Sequence, residues 1–181
     1  TPPGHVFEVF IQLGAILAVI ALYHRKLFHT AISITKEKQS QRFALNVIVG
    51  TLPALFIGAL AHGFVKEVLY NNPQIIAAAL ILGGLAIFWL EKKFKQARYE
   101  TVDDISLKAA FLVGCCQAVA LIPGVSRSGA TIMGGLALGL SRPAATEFSF
   151  FLSIPVMCAA VLYDVYKNRS EIMASHDMMG L

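Results

Sequence analysis

Four stretches of this chain are apolar for long enough to cross a lipid bilayer, and that property narrows the available folds more than any other. Residues 6–23, 43–61, 75–90 and 144–163 form runs of 18, 19, 16 and 20 residues. A helix rises about 1.5 Å per residue and a hydrocarbon core is about 30 Å thick, so each run approaches the length of one crossing. Inside a bilayer the backbone has no water to bond with, and a helix satisfies its own amides. The expected fold is therefore all-α, a polytopic integral membrane protein forming a single membrane domain over 1–181. Composition agrees: 56% of the 181 residues are hydrophobic and 14% are charged, against about 25% charged in soluble domains. That balance excludes a disordered tail and a disulfide-stapled mini-protein.

The net charge of +4 is not a nucleic-acid signal, because the basic residues gather in two loops between apolar runs. One loop, 24–42, holds Arg25, Lys26, Lys36, Lys38 and Arg42; the other, 91–108, holds Lys92, Lys93, Lys95, Arg98 and Lys108. Two crossings separate them, so both lie on one side, the cytoplasmic side by the positive-inside rule. The turn at 71–73 is then external. Asp103-Asp104 before Ile105 reads as a helix start, where a carboxylate caps free N–H groups. Gly83-Gly84 in the third run permits close helix packing. Cys115, Cys116 and Cys158 read as small hydrophobes, and the five histidines lack metal-ligand spacing.

Region 106–140 breaks the rhythm. It has 14 apolar residues over 109–122, a polar segment at 123–128 and 12 residues over 129–140. Neither half spans a bilayer. Two short helices around a Pro-Gly break read as a re-entrant helical hairpin, with irregular backbone that must be buried in protein or line a wet cavity. Pro143 suits the start of the helix that follows.

The break carries the chemistry. Pro123-Gly124-Val125-Ser126-Arg127-Ser128-Gly129-Ala130-Thr131 places one guanidinium and three hydroxyls between apolar helices. An arginine at membrane depth costs at least about 2.5–3.5 kcal/mol, so something must compensate. An anion would: Arg127 offers a planar fork matched to phosphate oxygens. Ser126, Ser128 and Thr131 offer hydroxyls, and a helix starting near Ser128 would add free N–H groups. Gly124 and Gly129 let the backbone approach closely. The competing reading is a kinked helix whose arginine snorkels to the interface. Glu147 could pair with Arg127 or Arg142, bind a metal, or favour its own helix N-terminus. Glu8 and Gln12 share a helix face, turned to a polar cavity or to the interface. Gln117 would orient the loop.

The nine-residue segment at 123–131 resembles the PGxSRSxxT signature of the undecaprenyl-diphosphate phosphatase family, the bacitracin-resistance proteins. Phe7-Glu8-Val9, Ile11-Gln12-Leu13-Gly14, Ser141-Arg142 and Glu147-Phe148-Ser149-Phe150 agree with it. The resemblance implies a bacterial inner-membrane enzyme that removes the terminal phosphate of undecaprenyl diphosphate, recycling the carrier of cell-wall precursors. Its fold would be an inverted-repeat architecture with re-entrant hairpins. Arg127, Ser126 and Ser128 would be catalytic, with the nucleophile and base left open. Gly124, Gly129, Thr131, Glu147, Gln117, Glu8 and Gln12 would bind substrate. Mg²⁺ or Ca²⁺ would assist, with no ligand assigned among these residues. The family's acidic motif is expected upstream of Phe7 and further helices beyond Leu181, so the 181 residues alone are expected to be inactive. The implied partners are a polyprenyl diphosphate and membrane lipids, with room for a homo-oligomer and none for nucleic acid. The alternatives are a transporter or flippase of a phosphorylated lipid using the same anion site, and a purely structural membrane domain.

Overall fold

The structure, a computed structural model, describes residues 4–65, 69, 72–93 and 97–167. Among them the regular elements are helices joined by turns and loops, with one isolated bridge between Tyr99 and Leu140. The helices are α1 (Gly4–Leu22), α2 (His24–Ser33), α3 (Lys38–Phe64), α4 (Pro73–Lys93), α5 (Leu107–Ala118), α6 (Arg127–Ala137) and α7 (Arg142–Lys167). A 3-10 turn, Val119–Leu121, extends α5. α3, α4 and α7 are each long and apolar enough to cross a membrane, and α1 and α2 make a further crossing if counted as one bent span. Large apolar side chains such as Phe56, Leu60, Phe88 and Trp89 stand exposed along α3 and α4. In water such surfaces would aggregate; in hydrocarbon they are the ordinary outer face. The protein is a multi-pass membrane protein.

The basic stretch 24–42 is not all loop. Its first ten residues form α2, which leaves α1 at Tyr23 with a bend of 73°. Leu27, Phe28, Ala31 and Ile32 recur at helical spacing among polar residues, which makes α2 amphipathic. Leu27 packs on the core while Phe28 and Ile32 stay exposed, as in a helix lying along the membrane interface.

The core sits where α3, α5, α6 and α7 meet, around Phe43, Ile105, Val113, Phe148, Phe151 and Leu152. Phe43 meets Phe151 edge-on with ring centres 4.8 Å apart, and Tyr23 lies 4.9 Å from Phe151 on the other side. α3 and α5 touch through backbone: a Cβ on Gly114 would run into the carbonyl of Gly50. Such contact is a regular way to pack helices in lipid, where burial gives no hydrophobic gain.

One end of the bundle gathers the basic loops. Lys26 Nζ bonds Asp103 Oδ2 at 2.6 Å. Arg42 donates to the carbonyls of Asp104 and Ile105, and Asn46 Nδ2 donates to Ile105 at 2.8 Å. The Asp103-Asp104 pair does not start α5. Ser106 caps it instead, its Oγ accepting from the Ala109 N–H at 3.2 Å. Ile105, fully buried, separates the carboxylates from the helix. Asp104 turns back to accept from the Thr101 N–H and hydroxyl, and those two bonds hold its carboxyl below the usual carboxylate range.

From this end α5 climbs along α3, from the Asn46–Ile105 contact to Gly58 beside Leu121. Those 12 residue steps along α3 correspond to a rise of about 18 Å. α6 then returns and closes with a Schellman turn. Leu140 N–H donates to Gly135, Gly139 N–H donates to Leu136, and Gly139 takes φ +90. The Gly139 carbonyl accepts the N–H groups of Arg98 and Tyr99, and Ser141 N–H donates to Tyr99. Segment 106–140 therefore enters and leaves the bundle from the basic end. Ser141 caps α7, accepting from Ala144 N–H and donating to the Glu100 carbonyl.

Candidate anion site at the tip of the hairpin

The tip is built by a turn that the Pro123-Gly124 dipeptide suits. Val125 N–H donates to Ile122 at 3.1 Å, with Pro123 and then Gly124 at φ +93 between them. This is a type II turn, with proline at its second position and glycine at the third. A Cβ on Gly124 would also stand 2.7 Å from the carbonyl of Ile76 on α4. Glycine is thus required there for conformation and for space.

Ser126 caps the helix that follows. Its Oγ accepts from the Gly129 N–H at 3.2 Å and its carbonyl takes the Ala130 N–H at 2.9 Å. By helix geometry the N–H groups of Arg127 and Ser128 point out of the helix end. The hydroxyls of Ser126 and Ser128 lie 3.3 Å apart. Backbone donors, two hydroxyls and the positive end of α6 therefore meet at one place.

Arg127 stands at this end, half-buried, with Nη1 enclosed and without a partner among the described residues. Neither the Lys26–Asp103 nor the His29–Glu37 ion pair involves it. A guanidinium enclosed without a carboxylate is costly. A phosphate group is the ligand whose geometry and charge answer that cost.

The other residues expected at the site are placed unevenly. Glu147 is not brought to Arg127; it lies within electrostatic reach of Lys26 and Asp103, at the basic end. Thr131 is buried in the contact between α6 and α7. Its hydroxyl donates to the carbonyls of Arg127 and Ser128, at 3.0 and 3.1 Å, and is bonded to Ser149 Oγ. With one proton already committed, Thr131 anchors the arginine-bearing turn rather than facing a ligand. Ser149 is the partner that sequence reading missed as a site residue, because the bond joins residues 18 apart.

Gln117 is buried with neither amide atom paired among the described residues, and Asn46 Oδ1 shares that state. Gln117 continues the buried face of Ala110, Val113 and Gly114 on α5. Gly129 sits 3.2 Å, measured from a notional Cβ, from the Ser126 side chain. The side chains of Glu8 and Gln12 lie outside the described residues. Among the described residues, no three His, Cys, Asp or Glu groups converge on a point that could hold a metal ion. The donors present there do not fit Mg²⁺ or Ca²⁺.

Beside the tip, between α4 and the hairpin, lies a groove of about 720 Å³ whose lining is apolar apart from Ser126.

Residues 2–181 match the family described as bacitracin resistance protein BacA. Undecaprenyl-diphosphatase 1 of Chromobacterium violaceum is 52% identical over 169 residues, which cover 93% of this chain and 62% of that protein. Undecaprenyl-diphosphatase of Cereibacter sphaeroides is 47% identical over 172 residues, covering 95% and 64%. Undecaprenyl-diphosphatase 2 of Paramagnetospirillum magneticum is 48% identical over 180 residues, covering 99% and 67%. The chain spans somewhat under two thirds of the length of the first of these relatives.

Proposed function

The chain belongs to the bacitracin resistance protein BacA family, and from that premise we propose that it carries the diphosphate clamp of an undecaprenyl-diphosphate phosphatase in the bacterial inner membrane. The observation that carries this reading is Arg127: a half-buried guanidinium whose enclosed Nη1 has no partner among the described residues, at the capped N-terminus of α6. The names of the similar proteins supply the substrate.

In the proposed reaction, water attacks the terminal phosphorus and the bond from that phosphorus to the bridging oxygen breaks. Inorganic phosphate leaves, and the lipid keeps one phosphate. Little covalent chemistry falls to the protein in such a transfer; positioning and charge stabilisation do most of the work. The Arg127 guanidinium holds non-bridging oxygens and meets the charge that grows on them. Ser126 and Ser128 donate hydroxyl bonds to the same group, and the free N–H groups of α6 add their dipoles.

The site is proposed to open on the external side. The Pro-Gly turn packs on Ile76, three residues into α4, and lies a full climb of α5 away from the basic loops.

The test uses the full-length protein and a long-chain prenyl diphosphate. Wild type should release phosphate, and Arg127→Ala should lower that rate by about 10²–10³, the loss typical of removing one preorganised charge-stabilising donor. No release by wild type would overturn the enzyme reading. Release undiminished in Arg127→Ala would overturn the site.

A further inference from the structure

Buried hydroxyls on the crossing helices are satisfied in two ways. Thr51 donates to the carbonyl of Val47 at 2.7 Å and Ser153 to that of Phe150 at 2.6 Å, each inside its own helix, the usual resort of such residues. Ser149, buried on α7, reaches across to Thr131 on α6 instead. Proton count fixes the direction of that bond. Thr131 has one hydroxyl proton, shared between the carbonyls of Arg127 and Ser128 at 3.0 and 3.1 Å. Thr131 Oγ1 is then left to accept from Ser149, so the Ser149 proton points toward the clamp.

Those two carbonyls belong to peptide units at the anion seat. The carbonyl of Arg127 shares its peptide group with the N–H of Ser128, one of the donors pointing out of the helix end. The carbonyl of Ser128 shares its own with the N–H of Gly129, which donates to Ser126 Oγ. That bond occupies a lone pair of Ser126 and leaves its proton free for a ligand. A donor placed on a carbonyl makes the N–H of the same peptide a stronger donor, and hydrogen bonds in series reinforce one another by about 10–30% each. Thr131 and Ser149 are both withdrawn from water, where such reinforcement is least screened.

We propose that Ser149 is a positioning residue for the phosphate transfer. Acting through Thr131, it holds and polarises the two peptide units that present the Ser128 N–H and the Ser126 hydroxyl to the terminal phosphate. This rests on the diphosphate reading of the clamp and deepens it. Ser149 itself touches no substrate; its effect passes through the Thr131 hydroxyl.

The full-length protein is assayed with a long-chain prenyl diphosphate. Rates are expressed per folded molecule, with folding checked by circular dichroism. Ser149→Ala should lower kcat/KM about tenfold, less than the roughly 10²-fold that a 1 Å misplacement can cost. Ser149→Thr, which keeps the hydroxyl, should restore most of that loss. Ser153→Ala removes a buried hydroxyl one turn further along α7 and should leave kcat/KM at the wild-type value. In a Thr131→Val background, Ser149→Ala should lower kcat/KM no further, because the path to the clamp is already cut. Four results would overturn the proposal: wild-type kcat/KM in Ser149→Ala, an equal loss in Ser153→Ala, a folded Ser149→Thr protein as impaired as Ser149→Ala, or a full additional loss in the Thr131→Val background. Absence of phosphate release by wild type would instead overturn the underlying enzyme reading.

Discussion

α5 and α4 both lean on the same hairpin tip, yet they are held there in opposite ways. α5 is locked against α3 backbone to backbone, with Gly114 against Gly50, and its N-terminus is tied by Ser106, Asn46 and Arg42 to neighbouring segments. α4 meets the tip at Ile76 and Ile87, and along its span no residue is buried inside the structure. Its Gly83 and Gly84 meet no atom within 4 Å of an added Cβ, where Gly50 of α3 and Gly114 of α5 meet each other's helix at the carbonyls of Ala110 and Gly50. A small residue thus has two meanings in this membrane protein. On α5 it lets two helices touch, and on α4 it leaves a void. The rigid side fixes the position of Arg127, and the open side provides the groove beside it.

The largest expected effect breaks the locked side. Gly114→Ala drives a methyl group into the Gly50 carbonyl, at a cost of at least about 1–3 kcal/mol for overpacking. Gly83→Ala should cost nothing and could gain about 1 kcal/mol of helix propensity. Thermal unfolding in detergent, followed by circular dichroism, separates the two. Equal losses would dissolve the contrast between the helices.

Next in size is Thr131→Val, which keeps the shape but removes the hydroxyl that joins α6 to α7 and holds the turn of Arg127. Ser149 then loses its partner, for about 1–3 kcal/mol. Because the two hydroxyls bond each other, Thr131→Val combined with Ser149→Ala should cost less than the sum of the single changes. Strict additivity in a double-mutant cycle would show that the bond does not matter.

Ser106→Ala removes the cap that starts the hairpin and should cost about 1 kcal/mol, read from the same unfolding curves.

The smallest effect is on pH dependence. Asp104 has its carboxyl lowered by the Thr101 bonds, so the stability it adds is complete above its unfolded pKa and fades as pH falls through its lower folded value. The thermal midpoint of wild type should exceed that of Asp104→Asn at neutral pH, and the gap should narrow as pH falls below the ordinary aspartate range. A gap independent of pH would contradict this.

Much of the hairpin was legible in the chain itself. Pro123-Gly124 dictates its turn, the Ser126 hydroxyl sits where a cap is needed, and the short apolar lengths on either side forbid a full crossing. Spans on α3, α4 and α7 follow from apolar length. What the sequence concealed was tertiary. α2 hid in a basic stretch because its charges outweighed its apolar stripe. Asp103-Asp104 looked like a cap, but Ile105 demanded burial and left that role to Ser106. Thr131 belongs to the motif yet turns to Ser149, and Glu147, close to the hairpin in sequence, faces Lys26 and Asp103 instead. Each depends on a partner far along the chain, which no local pattern reports.

The central claim is that Arg127 holds a phosphate group at the tip of the hairpin. Equilibrium binding of a non-hydrolysable long-chain prenyl diphosphonate to the full-length protein tests it without requiring turnover. Arg127→Ala should weaken binding by about 10- to 100-fold, the loss expected when a charge-assisted pair of hydrogen bonds is removed, and Arg127→Lys should recover only a fraction, since an ammonium lacks the planar fork. Unchanged affinity in Arg127→Ala would contradict the claim.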